Sequence, residues 1–330
     1  MSSEPTLRTA IAARSRRNWF VVIGISFFIV AFRVLSLAPP LDGAFSTIER
    51  PSVPWVVAEA GGSRLRPANT LSAFRYAAEA GADMLHADLR LTQDGIVVAF
   101  GAQLLETQTD GRGAVEEATF AMLAGLDAAY RWRAGDAESF RYRGLGVRIP
   151  TLDRLLLRLE GLPWLLWLRG EGTALGEEVC SVVRRQRAES RVLVAADDAR
   201  ILQAFRRACP GVPTLGHRWE RLWFQLYAWI RAARWVESPA VAYHFDVPVA
   251  GFDWREPVLY YQASRTGRTI FLRPKSPSTG TDAFATKAFG VLTTDPVAAV
   301  ALRRQHLGVQ STDNVGATNN DERLEAAPGD

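Results

Sequence analysis

Short apolar runs alternate with helical patterns along most of the chain, beginning after residue 52. The runs are rich in Val, Leu and Ile, and runs of this kind separated by helical patterns are typical of βα units in a parallel sheet. Nine runs are predicted as strands: Trp55–Glu59, Met84–Leu89, Ile96–Phe100, Trp164–Arg169, Val192–Ala196, Pro213–Gly216, Val241–Phe245, Thr269–Arg273 and Gly290–Thr293.

The third run differs from the others in how it is connected. Only Gln93, Asp94 and Gly95 separate it from the second run and its flanking Thr92, and Asp-Gly is a hairpin turn signal. A parallel pair needs a crossover of a dozen or more residues, so this connection is too short for one. We therefore predict a hairpin excursion after the second strand and an α/β fold of the (β/α)8 TIM barrel type.

Two helical patterns carry further information. Thr70–Ala80 has apolar residues on one face, and Asn69 or Thr70 can cap its start. The segment from Arg218 to Pro239 contains tryptophans among arginines. It is interpreted either as a helix lying in a membrane interface or as a barrel helix that packs its aromatic residues inward. A third interpretation makes this helix the contact for assembly of a cell-envelope complex.

The N-terminal region has the pattern of a membrane anchor. Residues 19–37 are apolar except for Arg33 and approach the 20 or so residues needed to cross a bilayer. Arginines precede the run, which places the N-terminus in the cytoplasm and the barrel on the outer side. A cleaved signal peptide is the alternative. The predicted organisation is a cytoplasmic basic segment (1–18), a single-pass transmembrane anchor (19–37), a linker (38–52), the barrel (53–308) and a disordered tail (309–330).

Charge and cysteine content change this picture little. The net charge of +4 comes from arginines spread along the chain, so nucleic acid binding is not expected. Cys180 and Cys209 allow a disulfide if the domain is exported, but two buried free thiols are the favoured prediction.

The segment from Val57 to Gly113 contains "AEAGG", "PANT", "GADMLHADLRLTQDG" and "VVAFGA". It resembles the start of the glycerophosphodiester phosphodiesterase family, whose pattern reads roughly A-H-R-G, P-E-N-T, G-A-D, E-x-D, T-x-D-G and V-V-x-H-D. The resemblance is carried by turn and packing residues: Gly61, Pro67, Asn69, Thr70, Gly81, Asp83, Asp94, Gly95, Gly111 and Gly113. It implies a (β/α)8 barrel that hydrolyses phosphodiesters with a divalent metal on carboxylates and two histidines as acid and base.

The positions that carry this chemistry in the family are largely substituted. Glu59 and Ala60 stand for His-Arg, His86 for the first metal carboxylate, Gly101 for the second histidine, Trp167 for the third carboxylate and Arg169 for a lysine, while Asp88 is kept. A general acid or base is typically worth about 10² to 10⁴ in rate. We therefore expect a pseudoenzyme without a cofactor, bound to the bilayer, that recognises an anionic headgroup, a polyol phosphate or an envelope protein.

Two alternatives concern the same positions. Glu59, His86 and Asp88 could hold a divalent metal in a rewired phosphoric diester hydrolase that acts on glycerophosphodiesters in lipid metabolism. Otherwise Glu59 pairs with His86 or with Arg169 and neutralises a disused site. Arg169 and Arg273 are candidates for binding an anion, because arginine donates two parallel hydrogen bonds to phosphate, or they form plain salt bridges.

Overall fold

The computed structural model describes residues 51–134, 139–247, 257–275 and 277–307. The predicted basic segment, transmembrane anchor and C-terminal tail lie outside these ranges, as does nearly all of the linker. Among the described residues, no helix combines the length and the apolar character needed to span a bilayer.

The strands form a parallel sheet in the order β5-β4-β2-β1-β8-β7-β6, and the sequence predicted each of them within a few residues. Their bounds are β1 Trp55–Glu59, β2 Met84–Leu91, β3 Val97–Ala99, β4 Trp164–Leu168, β5 Val192–Ala196, β6 Ala242–Val247, β7 Thr269–Pro274 and β8 Gly290–Thr293.

The predicted strand Pro213–Gly216 is reduced to two parallel bridges. Thr214 pairs with Val194 of β5, and Leu215 pairs with Ala242 of β6. Pro213 has no N–H to donate, which limits a longer ladder here. The bridges nevertheless occupy the eighth place and link β5 to β6, so the parallel strands close into a ring.

The hairpin excursion is confirmed. β3 pairs antiparallel with β2, with Leu89 opposite Ala99 and Leu91 opposite Val97. The Asp94 carboxylate accepts hydrogen bonds from the Thr92 hydroxyl (2.6 Å) and the Phe120 N–H (2.9 Å). Gly95 has a φ of +78°, which favours glycine, so the turn needs the Asp-Gly pair.

Helices surround the ring and cover its outer face. The predicted first helix is confirmed as α1, and its capping residue is Thr70, whose hydroxyl accepts from the Ala73 N–H at 3.3 Å. The helices are α1 Leu71–Glu79, α2 Phe120–Ala124, α3 Leu152–Arg158, α4 Ala174–Arg185, α5 Ala199–Ala208, α6 Arg218–Trp229, α7 Pro257–Arg265, α8 Pro277–Phe284 and α9 Pro296–His306.

The expectation of two free thiols is wrong. Cys180 lies on the buried face of α4, and Cys209 directly follows α5. The two helices pack side by side, which brings the Cα atoms to 5.8 Å, and the cysteines form a disulfide.

The interpretation of α6 as a helix that packs its aromatic residues inward is also wrong for its tryptophans. Phe224 and Ala228 are buried against the barrel, whereas Trp219, Trp223 and Trp229 are exposed. The inward face is supplied by Phe224 and Ala228, which are spaced four residues apart, and this leaves the tryptophans on the outer face.

Inside the ring, alternate residues of each strand point to the barrel axis. They form an apolar layer at its centre: Val57, Met84, Leu165, Leu193, Leu215, Ala242, Phe271 and Leu292. The next inward positions lie at the carboxyl ends of the strands, the end at which barrel enzymes carry their chemistry. This end is called the mouth below.

Candidate functional site

Trp167 lies at the centre of the mouth. Its ring centroid is 5.8 Å from that of His86 on β2 and 5.2 Å from that of His244 on β6, the latter edge-on. The guanidinium carbons of Arg169 and Arg273 lie 5.1 and 5.7 Å from the ring. The indole N–H donates to Asp197 Oδ1 at 2.7 Å. The Trp167 side chain therefore fills the space at the mouth between β2, β6 and β7, which lie on different sides of the barrel.

Asp88, the retained carboxylate, is buried and held by Arg169. Oδ1 accepts from Arg169 Nε at 2.9 Å and lies 2.8 Å from Nη2, while Arg169 Nη1 binds Asp197 Oδ2 at 2.8 Å. Oδ2 accepts from Asn69 Nδ2 at 3.1 Å. Burial alone would raise the pKa of Asp88, but the Arg169 charge and the hydrogen bond from Asn69 hold that pKa below its ordinary value.

Glu59 pairs with neither His86 nor Arg169, so both of those expectations are wrong. Its carboxylate binds Arg273, with Nη2 2.7 Å from Oε1. Arg273 Nη1 also lies 3.5 Å from Asp246 Oδ1. His86, which is fully buried on the neighbouring strand, instead accepts the Ala60 N–H through its Nδ1 at 3.3 Å. Arg169 and Arg273, the two anion-binding candidates, are therefore both engaged in salt bridges.

His86 is fully buried between these groups. Because Nδ1 accepts a hydrogen bond, the ring proton of neutral His86 is assigned to Nε2, which lies 4.0 Å from Asp88 Oδ1 and has no hydrogen-bond partner. Burial lowers the pKa of His86 below 6.5, outweighing the opposite effect of Asp88 and Glu59. The imidazole is thus uncharged near neutral pH.

The sequence interpretation missed His244 and Asp246 on β6. His244 is buried, neither of its ring nitrogens has a hydrogen-bond partner, and Nε2 lies 3.7 Å from Asp246 Oδ1. Burial, followed by the charges of Arg273 and Arg221, lowers its pKa well below 6.5. The signal was present, since His-x-Asp at 244–246 repeats the His-x-Asp at 86–88, and both pairs point inward from a strand.

Lowering the pH should destabilise the fold through these two histidines. The unfolded chain binds protons near pH 6.5 whereas the folded chain does not, so stability falls as the pH drops below that value. Each histidine contributes a slope of up to about 1.4 kcal/mol per pH unit. Thermal unfolding midpoints between neutral and mildly acidic pH measure this, and His244→Phe should make the dependence shallower. An equal slope in the variant would contradict the assignment.

The substituted positions surround Asp88. A Cβ added at Gly101 would lie 3.1 Å from Asp88 Oδ2 and 3.4 Å from Asn69 Nδ2, so a larger side chain at this position would meet the carboxylate. Ala60 lies between Glu59 and Gly61 and faces His86 through its N–H. Ala60, Gly101 and Arg169, three of the substituted positions, thus lie together at the mouth beside His86 and Asp88.

The donor set does not fit a divalent cation. Glu59, Asp88 and Asp197 each accept a guanidinium at 2.7 to 2.8 Å, which occupies the oxygen lone pairs a hard cation would use. In the part of the chain that the structure describes, no three His, Cys, Asp or Glu side chains gather as a metal site. Glu59, His86 and Asp88 are thus not assembled as ligands in this arrangement.

Comparison with known proteins assigns the chain to a family. The sequence model described as "Glycerophosphoryl diester phosphodiesterase family" matches residues 60–243. A Bacillus subtilis protein, "Putative glycerophosphodiester phosphodiesterase YhdW", is 31% identical over 163 residues, covering 48% of this chain and 64% of that protein. The chain therefore spans less than two thirds of that relative's length.

Solved structures share the fold. The glycerophosphoryl diester phosphodiesterase domain of an uncharacterized Mycobacterium tuberculosis protein matches with a TM-score of 0.63 at 23% identity, over 76% of this chain and 99% of that one. An Oleispira antarctica phosphodiesterase, solved with the product sn-glycerol-3-phosphate, matches with a TM-score of 0.60 at 19% identity, over 79% and 99%. At these identities the structures show the barrel fold alone. Because the sequence model covers more than half of the chain, this protein belongs to the glycerophosphoryl diester phosphodiesterase family.

Proposed function

We propose that this protein is a membrane-anchored, non-hydrolysing member of the family whose barrel binds a phosphate-bearing polyol instead of cleaving it. The observation that carries the proposal is the contact of Asp88 with Arg169. The family carboxylate that survives in this chain is bound by two guanidinium nitrogens within 2.9 Å. A carboxylate held in this way is neither a free metal ligand nor a base.

Hydrolysis of a phosphodiester needs a proton acceptor for water and a proton donor for the leaving group. At the mouth, His86 and His244 have lowered pKa values and are buried, so neither is a protonated donor near neutral pH. Trp167 fills the space between them. Arg169 and Arg273 remain cationic and cannot act as acids at this pH. The described residues thus lack a matched acid and base.

Binding is supported by hydrogen-bond donors that lack acceptors. Arg90 Nε, Arg273 Nε and His86 Nε2 are buried at the mouth end of their strands without a partner. A phosphate ester brings acceptor oxygens and negative charge, which arginine recognises well. The Oleispira antarctica relative was solved with sn-glycerol-3-phosphate. A polyol phosphate of that class is therefore the ligand to test.

Placement outside the cytoplasm is supported by two features. The arginine-rich segment before the apolar run at 19–37 favours a cytoplasmic N-terminus, which puts the barrel on the other side. The Cys180–Cys209 disulfide is of the kind that persists in oxidising compartments.

The full chain, purified in mild detergent, should not hydrolyse glycerophosphodiesters or a chromogenic phosphodiester with Mg²⁺, Ca²⁺, Mn²⁺ or Zn²⁺. Calorimetry should detect saturable binding of sn-glycerol-3-phosphate, weakened at least tenfold by Arg273→Ala, since about 1.4 kcal/mol corresponds to a factor of ten. Arg185→Ala is the matched control, because Arg185 lies on the outside of the barrel in an exposed pair with Asp153.

Two results would contradict the proposal. Metal-dependent turnover that is abolished by His86→Ala would establish the rewired hydrolase instead. Absence of sn-glycerol-3-phosphate binding would overturn the ligand class, even if no turnover were seen.

A further inference from the structure

We infer that helix α6 and the turn after it form a second membrane contact, which lays the barrel on its side on an anionic phospholipid bilayer. The inference draws on the anchor proposed above for proximity to the bilayer, and it does not depend on ligand binding at the mouth. The contact surface is called the aromatic face and consists of exposed residues of α6 and its continuation: Trp219, Leu222, Trp223, Leu226, Trp229, Ile230 and Trp235.

The aromatic face is one continuous stripe. Its α6 members follow the spacing i, i+3, i+4, i+7, i+10 and i+11, which places them on one side of a helix. Trp229 is 69% exposed, and Trp219 and Trp223 are each 55% exposed. Monomeric soluble domains rarely expose a contiguous apolar patch of this kind unless it contacts a partner or a membrane.

The inner side of α6 is fixed by packing, so the exposure is not a result of a loosely docked helix. Phe224 is fully buried and stacks on Tyr243 of β6 with ring centroids 4.3 Å apart. Glu220, the acidic residue of α6, is held by Arg206 at 3.1 Å and by the Ser238 hydroxyl at 2.7 Å. The helix therefore presents its apolar stripe from a rigid scaffold.

Arginines border the aromatic face and match anionic lipid. Arg218 and Arg231 are exposed at the two ends of α6. The Arg218 guanidinium lies 5.0 Å from the Trp219 ring, and that of Arg234 lies 5.1 Å from the Trp235 ring. Tryptophan and arginine side chains combine an apolar body with a polar or charged tip, which suits the boundary between acyl chains and phosphate headgroups.

The start of the described chain, at Pro51, lies beside one end of this face. Arg268 donates hydrogen bonds to the carbonyls of Val236 (3.1 Å) and Ala240 (3.2 Å), in the segment that follows Trp235. Arg268 also lines a cavity of about 260 Å³ together with Pro51 and Ser52, where the described chain begins. The Trp235 end of the face and Pro51, to which the proposed anchor is connected through the linker, are thus neighbours.

The length of the intervening chain keeps the barrel close to the bilayer. From residue 37, the end of the apolar run, to Pro51 a fully extended chain spans at most about 50 Å. A surface tethered at this distance has a high effective concentration at the membrane, so a patch of moderate affinity is enough to dock. Helix α6 is 12 residues long and runs beside the strands. Docking along its length would therefore lay the barrel axis along the membrane, with the mouth facing parallel to the bilayer surface.

The test uses the full chain reconstituted in nanodiscs of phosphatidylcholine, with and without phosphatidylglycerol. A polarity-sensitive fluorophore is attached to Trp223→Cys, and in a second variant to Trp229→Cys. The native cysteines form a disulfide, so the introduced thiol is the one that reacts. The matched control is Leu157→Cys on α3, where Leu157 is similarly exposed but on another side of the barrel. Brominated lipid tails quench fluorophores that enter the acyl boundary.

We expect brominated anionic nanodiscs to reduce emission at positions 223 and 229 about twofold or more and to leave position 157 unchanged. High salt should weaken this quenching, because it screens the arginines from the lipid phosphates. Equal emission at all three positions would overturn the inference. Emission at position 223 that changes with protein concentration in detergent would also overturn the inference, because a second copy of the chain would then cover the aromatic face. Failure of the chain to co-elute with nanodiscs would overturn the anchor and this contact together, whereas loss of sn-glycerol-3-phosphate binding affects neither.

Discussion

Replacing Arg169 with alanine should lower the free energy of unfolding by about 3 kcal/mol, because it leaves Asp88 buried without its cationic partner. Asp88 is 7% exposed and accepts two contacts from Arg169 within 2.9 Å. Asn69 is its remaining neutral donor, at 3.1 Å. The same change also removes the salt bridge between Arg169 and Asp197. In a domain of this size the loss corresponds to a drop of roughly 6 to 12 °C in the unfolding midpoint.

The measurement is thermal unfolding of the full chain in mild detergent at a fixed scan rate. Arg185→Ala is again the control, because an exposed pair contributes about 1 kcal/mol at most. A double variant, Asp88→Asn with Arg169→Ala, should recover part of the loss, since no unpaired charge then remains. If the Arg169→Ala variant had the same unfolding midpoint as the unchanged protein, the ion pair with Arg169 would not be what stabilises the buried Asp88 carboxylate.

Removing the disulfide by Cys180→Ala together with Cys209→Ala should cost about 3.5 kcal/mol. The two cysteines are 29 residues apart, and in the chain-entropy account a loop of that length restricts the unfolded state by this amount. Both sulfur positions are buried between α4 and α5, so the smaller alanine side chains add a packing cost of the same sign.

The unfolding midpoint of the double variant, compared with that of the unchanged chain with and without a reducing agent, checks this prediction. Reduction should lower the midpoint of the unchanged chain and should leave the double variant unaffected. A midpoint that is insensitive to both treatments would show that the disulfide contributes nothing to stability.

Much of the barrel could be predicted from the sequence because apolar runs and turn residues are local signals. Trp55–Glu59 and Val192–Ala196 were predicted to the residue, and Asp94-Gly95 identified the hairpin. Pro213–Gly216 was the weakest prediction because its pairing depends on two neighbouring strands. Its apolar residues fill the eighth place with only two bridges.

At the site, the sequence identified positions but not partners. Glu59 was expected to meet His86 or Arg169, yet it binds Arg273, which comes from a strand that is not its neighbour in the sheet. Long arginine side chains can reach any of several carboxylates around a ring, so strand order alone does not decide the pairing. The Cys180–Cys209 bond was missed for a similar reason, since it depends on how α4 and α5 pack.

The position of Trp167 has a consequence for how the sequence of this mouth can change over time. Its ring touches side chains from β2, β6 and β7, and its N–H binds the Asp197 that also holds Arg169. Exchanging the indole for a carboxylate, as the family pattern has it, would empty the middle of the barrel and add a charge where the arginines are already matched. A carboxylate at position 167 would therefore fit only together with changes at its neighbours, so the residues of the mouth are coupled to one another through this indole.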